Sequence, residues 1–274
     1  MAGFDAFRDF EHAGWGSASV ANSYHRDLSE LTQGVIPELL RVSGLKARDM
    51  VLDVACGAGY VAAAARERGA DATGVDFSAA MLRLAEQTYP GIRFLEGDAG
   101  ALPFGNAEFD VVLNAFGLPH LPDADKATAE AYRVLKPGGC FAYASWCNQT
   151  KCVGFAMPYD AVRACGTLDV GLPPGPNFFG YSDPDYANAM LGRAGFQPMS
   201  MTEVPLYWRL SSPDGLFDVL RTGSVRAGAV LKAQTPENLV RIKQYMHDKV
   251  SGFGRDGGYA VPTYAVVVSA RKAG

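Results

Sequence analysis

The chain is short of several things at once, and each shortage removes a class of function. No apolar run approaches the roughly 18–20 residues that cross a bilayer, so no membrane span is expected. Positive charge is in deficit: 25 Lys and Arg against 29 Asp and Glu leave a net charge of −4, with a pI near 5.6. No Lys/Arg run gathers those cations into one strip, so no nucleic-acid partner is expected. The five cysteines (Cys56, Cys140, Cys147, Cys152, Cys165) are odd in number, which argues against a disulfide framework. Cys147 and Cys152 lack the C-x-x-C spacing and nearby histidines that zinc favours, so no metal is expected. Thiols buried in a reducing cytoplasm account for them better. The opening stretch MAGFDAFRDFEHAGW lacks the basic-then-apolar order of a secretory leader, and a cytoplasmic protein is the expectation.

What is present is a set of apolar runs punctuated by glycine. At 274 residues the chain fits a single elaborated α/β domain. MVLDVA (50–55) reads as a buried parallel strand, followed by a helix ending at RERG with Gly69 as its cap. ATGVDF (72–77), IRFLEG (92–97), FDVVLNAF (109–116) and CFAYASW (140–146) read as further strands. Between them lie a helix capped by Ser78 and carrying Met81, and another over 123–135. A helix over 153–165, one opened by Ser182 or Asp183 with Pro184, and strands at 197–204 and 263–272 complete the pattern. This alternation predicts a Rossmann-like, seven-stranded, mostly parallel sheet with helices on both faces. Residues 46–206 and 259–274 would form that core. Residues 1–45 and an insertion over 207–258 would form a helical cap over the carboxyl ends of the strands, where open α/β sheets bind ligands.

The stretch DVACGAGYVA (53–62) fits two cofactors. Gly57, Gly59 and Ala62 match the dinucleotide spacing G-x-G-x-x-G/A, with Asp76 at the distance of a ribose-binding acid. The glycines alone do not choose, because several nucleotide sites need sharp turns and close backbone approach. The carboxylates do. Asp53 is late in the first strand and expected at the mouth beside the loop; Asp76 ends the second strand and Asp98 the third. Three acids along one crevice repel a pyrophosphate and suit a ligand with a ribose and a positive charge. S-adenosylmethionine is such a ligand; NAD is not.

These residues resemble the class I S-adenosylmethionine-dependent methyltransferases, in particular the small-molecule type 11 group. VLDVACGAGYVA is similar to that family's first motif, with Ala55 where a glycine often stands. GVDFSAAML, GDAGALPF and FDVVLNAF resemble the second, third and fourth, and RVLKPGGCFAYASW the approach to the fifth strand, so the likeness spans roughly residues 47–146. The resemblance implies that Gly57, Gly59 and the backbone of Ala55 flank the methionine part, with Asp53 near its amino group. It implies that Asp76 holds the ribose hydroxyls, with Phe77 and Met81 against the nucleoside. Asp98 would take the adenine amino group and the Ala99 N–H a ring nitrogen. Asn114 and Phe116 would lie near the sulfonium, and Tyr24, in ANSYHRDL, resembles an aromatic that closes over the cofactor.

A base is needed only if the acceptor must lose a proton. His120, in NAFGLPHLPD, is the candidate, a few residues after the fourth strand. The aromatics of PNFFGY (176–181) and PLYWRL (205–210) are expected at the pocket edge, consistent with a small, flat acceptor. An aromatic or polyketide-like metabolite, methylated on oxygen, carbon or nitrogen, is therefore the expected partner. NAFGL partly resembles the quinone C-methyltransferases, but Pro119-His120 stand where that group usually carries Arg-Asn. A non-catalytic S-adenosylmethionine-binding protein and a nicotinamide oxidoreductase remain as alternatives, because fold analogy does not prove chemistry.

Overall fold

A computed structural model describes residues 4–197 and 200–274. The N-terminal segment folds into α1 (Asp5–Trp15), α2 (Ala18–Ser23), α3 (Ser29–Gln33) and α4 (Ile36–Ser43), with a π-helical turn over Tyr24–Leu28. The core then alternates: β1 (Met50–Val54), α5 (Tyr60–Glu67), β2 (Asp71–Asp76), α6 (Ala79–Thr88), β3 (Arg93–Glu96), β4 (Phe109–Ala115), α7 (Ala124–Val134) and β5 (Leu135–Trp146). After α8 (Val153–Cys165) and α9 (Pro184–Ala194) come β6 (Ser200–Leu210), α10 (Gly215–Gly223), α11 (Arg226–Lys232) and α12 (Pro236–Ser251). The chain closes with β7 (Gly254–Arg255) and β8 (Gly258–Arg271).

The strand order is β3-β2-β1-β4-β5-β8-β6. Strands β1 to β5 run parallel, and β8 is inserted antiparallel between β5 and β6. The expected seven strands are joined by an eighth: β7 makes a short hairpin with the start of β8. β6 runs to Leu210, past the expected end at 204, because the whole of PLYWRL pairs with β8. The first residues of the strand read at 197–204 include 198 and 199, which lie outside the described residues.

Local signals act where they stand. Ser78 accepts the Met81 N–H at the start of α6, and Asp183, rather than Ser182, accepts the Tyr186 N–H at the start of α9. Thr235 caps α12 by accepting from Asn238. α12 buries Ile242 and Met246 as its spacing predicts, and the Gly166 backbone after α8 packs against Ile242. That helix is therefore cover for α8 and not for the cavity described below; only the α10–α11 part of the insertion reaches it. Among the described residues, no helix is long and apolar enough to cross a membrane. All five cysteines are free thiols, four of them buried.

Candidate active site

Because β1 pairs with both β2 and β4, the carboxyl ends of these strands lie side by side. The backbone turns sharply at each. Ala55 has φ +54°, and Phe116, at the matching point after β4, has φ +62°. A side-chain-bearing residue in this region costs on the order of 1 kcal/mol, and two such residues at adjacent strand ends mark a constrained corner. Gly117 lets the two ends approach: a Cβ there would sit 2.6 Å from the Ala55 Cβ. Asn114 braces the same corner, its Nδ2 donating to the Val54 carbonyl at 2.8 Å and its Oδ1 accepting from the Gly117 and Leu118 N–H groups.

Over these ends lies a cavity of about 480 Å³, within the usual span of small-molecule sites. One wall is Ala55, Gly57, Asp53 and Asp76; the cap supplies Trp15, Tyr24 and Thr32. The π-helical turn places Tyr24 there, its hydroxyl hydrogen-bonded to Thr32 at 3.0 Å. Much of the remaining lining is aromatic. Phe116 stacks on Trp146 with centroids 4.0 Å apart, and Phe155 packs on Trp146 in turn. Tyr159, Phe178 and Phe179 complete that chamber, with Arg226 at the α10–α11 junction.

The two buried acids hold different positions. Asp76 accepts the Gly57 N–H through Oδ2 and the Ser78 N–H through Oδ1, both at 2.8 Å. Burial nonetheless raises its pKa. Asp53 is at the floor and not at the mouth where it was expected: it is 1% exposed. Its Oδ2 accepts the Ala62 N–H at 3.1 Å, while Oδ1 is buried without any hydrogen-bond partner. Burial pushes its carboxyl up to about 8 against the Ala62 hydrogen bond, with the charge of Asp76 adding to the rise.

That shift makes a prediction for the ligand-free protein. The folded value lies above the ordinary 3.8, so Asp53 stabilises the fold fully at low pH. This contribution is lost as pH rises through about 8. Asp53→Asn cannot ionise, so its stability relative to the wild type should grow between acid and mildly alkaline pH. Urea denaturation at both ends of that window measures this; parallel curves for the two proteins would refute it.

His120 lies in the cavity wall, in a short helical turn after β4. Its Nδ1 is 2.9 Å from Oε2 of Glu11, a residue 2% exposed. The same oxygen accepts the Trp15 indole N–H at 3.0 Å. Glu11 and Trp15 belong to α1, which is fastened at three further points. His12 stacks flat on Phe77 at 4.1 Å, the Ser78 hydroxyl donates to the Trp15 carbonyl, and Phe7 packs against Gly175. The remaining histidines lie elsewhere: His25 pairs with the Tyr60 hydroxyl and His247 with Asp214.

Of the residues read from the sequence, Asp53, Ala55, Gly57, Asp76, Phe77, Met81, Phe116, Tyr24 and His120 share this one cavity. Four others are outside its wall. Asn114 is engaged by backbone as described. Gly59 caps the start of α5 at φ +83°, where a Cβ would meet the Phe94 ring at 2.7 Å, so packing requires a glycine there. Asp98 is exposed and accepts the Gly100 N–H in a tight turn; Ala99 follows it. The Arg8 guanidinium of α1 is held charged chiefly by Asp9 and Asp5, with Asp98 a minor contributor. PLYWRL is also not pocket edge: Trp208 is core and Tyr207 faces out from β6. Glu11, Trp15, Tyr159 and Arg226 were not singled out by sequence. Only the i,i+4 spacing of Glu11 and Trp15 hinted at a pair.

Residues 52–143 match the family model described as a methyltransferase domain. They are similar to that domain, and the chain as a whole has the class I methyltransferase fold. A demethylmenaquinone methyltransferase of Chlorobaculum tepidum is 47% identical over 91 residues, 33% of this chain and 38% of that protein. One from Paenarthrobacter aurescens is 31% identical over 161 residues, 56% of this chain and 64% of the other. The chain thus spans less than two thirds of these relatives. Haemonchus contortus phosphoethanolamine N-methyltransferase 2, solved with S-adenosylhomocysteine, shares the fold with a TM-score of 0.58 and 19% identity, over 98% of this chain and 60% of that one. The [4+2]-cyclase SpnF shares it too, with a TM-score of 0.56 and 19% identity, over 88% of this chain and 82% of its own. The methyltransferase fold therefore carries more than one chemistry, and the site must decide.

The residues fit the methyltransferase cofactor. The partnerless Oδ1 of Asp53 is a buried acceptor suited to an ammonium group. Gly57 stands at φ +52° with nothing within 4 Å of where a Cβ would point, so a ligand can lie against its backbone. Asp76, with two lone pairs on each oxygen, keeps acceptor capacity for a diol beyond its two N–H partners.

Proposed function

We propose that the chain moves a methyl group from S-adenosylmethionine to an oxygen, carbon or nitrogen of a small aromatic or polyketide-like metabolite. The observation that carries this reading is one cavity joining the glycine loop and its two acids to an aromatic chamber containing His120. When bound, the cofactor supplies a methyl group already activated by a sulfonium. Asp76 would hold the ribose hydroxyls, Asp53 the ammonium, and Gly57 and Ala55 the methionine backbone. Phe77, Met81, Tyr24 and Phe116 would pack around it. Asp98 and Ala99 would reach adenine only from outside the cavity wall.

The chain's own chemistry is then alignment, dryness and one proton. Trp15 and the rest of α1 close the cavity against water. Glu11 accepts from His120 Nδ1–H, leaving Nε2 free to take a proton from an acceptor hydroxyl. A second reading, C-methylation of a quinol, is favoured by the demethylmenaquinone methyltransferases among the relatives; Pro119-His120 in place of Arg-Asn argues against it. A cytoplasmic location fits the free cysteines.

Calorimetry tests the cofactor: micromolar binding of S-adenosylhomocysteine is expected, with none for NADH or NADPH. The reverse result would overturn the proposal. Turnover with phenols, quinols and amines then tests the reaction. Cofactor binding without any turnover would favour a non-catalytic binding protein.

A further inference from the structure

The charges around the cavity are sorted. Asp53 and Asp76 line the end formed by β1 and β2, and among the described residues the one Arg or Lys in the lining is Arg226, from the α10–α11 junction. Arg226 opens α11, where its Nη1 donates to the Pro173 carbonyl at 3.0 Å. That single bond leaves four of its five N–H donors unused. Among the described residues no carboxylate lies within ion-pairing distance of it, although 14 other ion pairs are present. An arginine held by a loop carbonyl, turned to a cavity and given no carboxylate is a cation awaiting a partner.

Its surroundings say what kind. Burial raises the Tyr159 hydroxyl pKa, with the charge of Arg226 acting against that rise and the charge of Glu11 adding to it. Arg226, Tyr159 and His120 line one cavity, and Glu11 stands behind His120. Trp146, Phe155 and Phe178 line the same cavity. A planar ring held among these aromatics would share one space with the base and the guanidinium.

Resting on the methyltransferase reading, we infer that Arg226 anchors the acceptor by an anionic group, so that the acceptor is an aromatic acid, a hydroxylated ring bearing a carboxylate. The guanidinium fork meets a carboxylate with two parallel N–H···O bonds, which fixes the ring's rotation as well as its place. Asp53 and Asp76 sharpen the selection, because an anion turned to the β1–β2 end of the cavity would face two acids.

The test uses the whole protein saturated with S-adenosylhomocysteine and measures binding by calorimetry. The probes are matched pairs of hydroxybenzoate and hydroxybenzamide, and of hydroxynaphthoate and hydroxynaphthamide. The acids are expected to bind at least about tenfold more tightly than their amides. Arg226→Met should abolish that preference and leave S-adenosylhomocysteine affinity within about twofold; Arg226→Lys should keep part of it. Equal binding of acids and amides, or no binding of any pair while S-adenosylhomocysteine binds, overturns the inference and leaves the methyltransferase reading standing. A large loss of S-adenosylhomocysteine affinity in Arg226→Met also overturns it, because the arginine would then hold the cofactor's own carboxylate. Failure of the wild type to bind S-adenosylhomocysteine would instead remove the reading beneath it.

Discussion

Asp76→Ala is expected to weaken S-adenosylhomocysteine binding by roughly 1–3 kcal/mol, about 5- to 150-fold, in a protein that still folds. The carboxylate is the joint between the glycine loop and the strand that follows it. Its Oδ2 fixes the Gly57 N–H and its Oδ1 the Ser78 N–H. Alanine removes the acceptor proposed for the ribose and also unpins Gly57, whose positive φ shapes the cavity wall. Asp76→Asn should do little better. An amide has one carbonyl oxygen, so one of the two N–H groups must face an NH₂ and lose its bond. Calorimetry with S-adenosylhomocysteine, alongside urea denaturation to show folding, measures both effects. Unchanged affinity in a folded Asp76→Ala protein would take Asp76 out of the site.

The contrast with Asp53 follows from the same hydrogen-bond inventory. Asp53 has one N–H partner and one empty oxygen, so asparagine can keep the first and place its NH₂ at the second. Two acids one strand apart thus predict opposite responses to the same substitution in the ligand-free protein: gain at Asp53 above neutral pH and loss at Asp76.

The legible part of this molecule is the part encoded locally. Glycines, a strand-end acid and a capping serine lie within about one βαβ unit, so the order β1-α5-β2 and the position of Asp76 could be read directly. PLYWRL was misread because alternation along a strand and an aromatic pocket edge have the same composition; pairing with β8 along its whole length decided it. Asp98 carries the expected motif, yet it lies exposed in a tight turn outside the cavity wall. Glu11 illustrates the limit. Nothing near residue 11 announces a partner, since the histidine it holds is 109 positions distant and only the docking of α1 brings them together.

That docking carries the second large expectation. For an acceptor that must lose a proton, His120→Ala should lower kcat by roughly 10²- to 10⁴-fold while S-adenosylhomocysteine affinity changes little. Glu11→Gln should lower kcat by less and leave KM nearly unchanged. Its carbonyl oxygen can still accept from both His120 and Trp15, so the ring stays in place, but the charge that stabilises a protonated imidazole is gone. Glu11→Ala should be worse than Glu11→Gln in both constants. It leaves the Trp15 indole N–H without its partner and loosens α1, which also stacks His12 on Phe77 and receives the Ser78 hydroxyl. Steady-state kinetics with an accepted phenolic acid separates these cases, because a merely structural Glu11 would leave Glu11→Gln at the wild-type kcat and only Glu11→Ala impaired. If His120→Ala keeps kcat within twofold, the proton goes elsewhere and the Glu11–His120 pair serves only to close the cap.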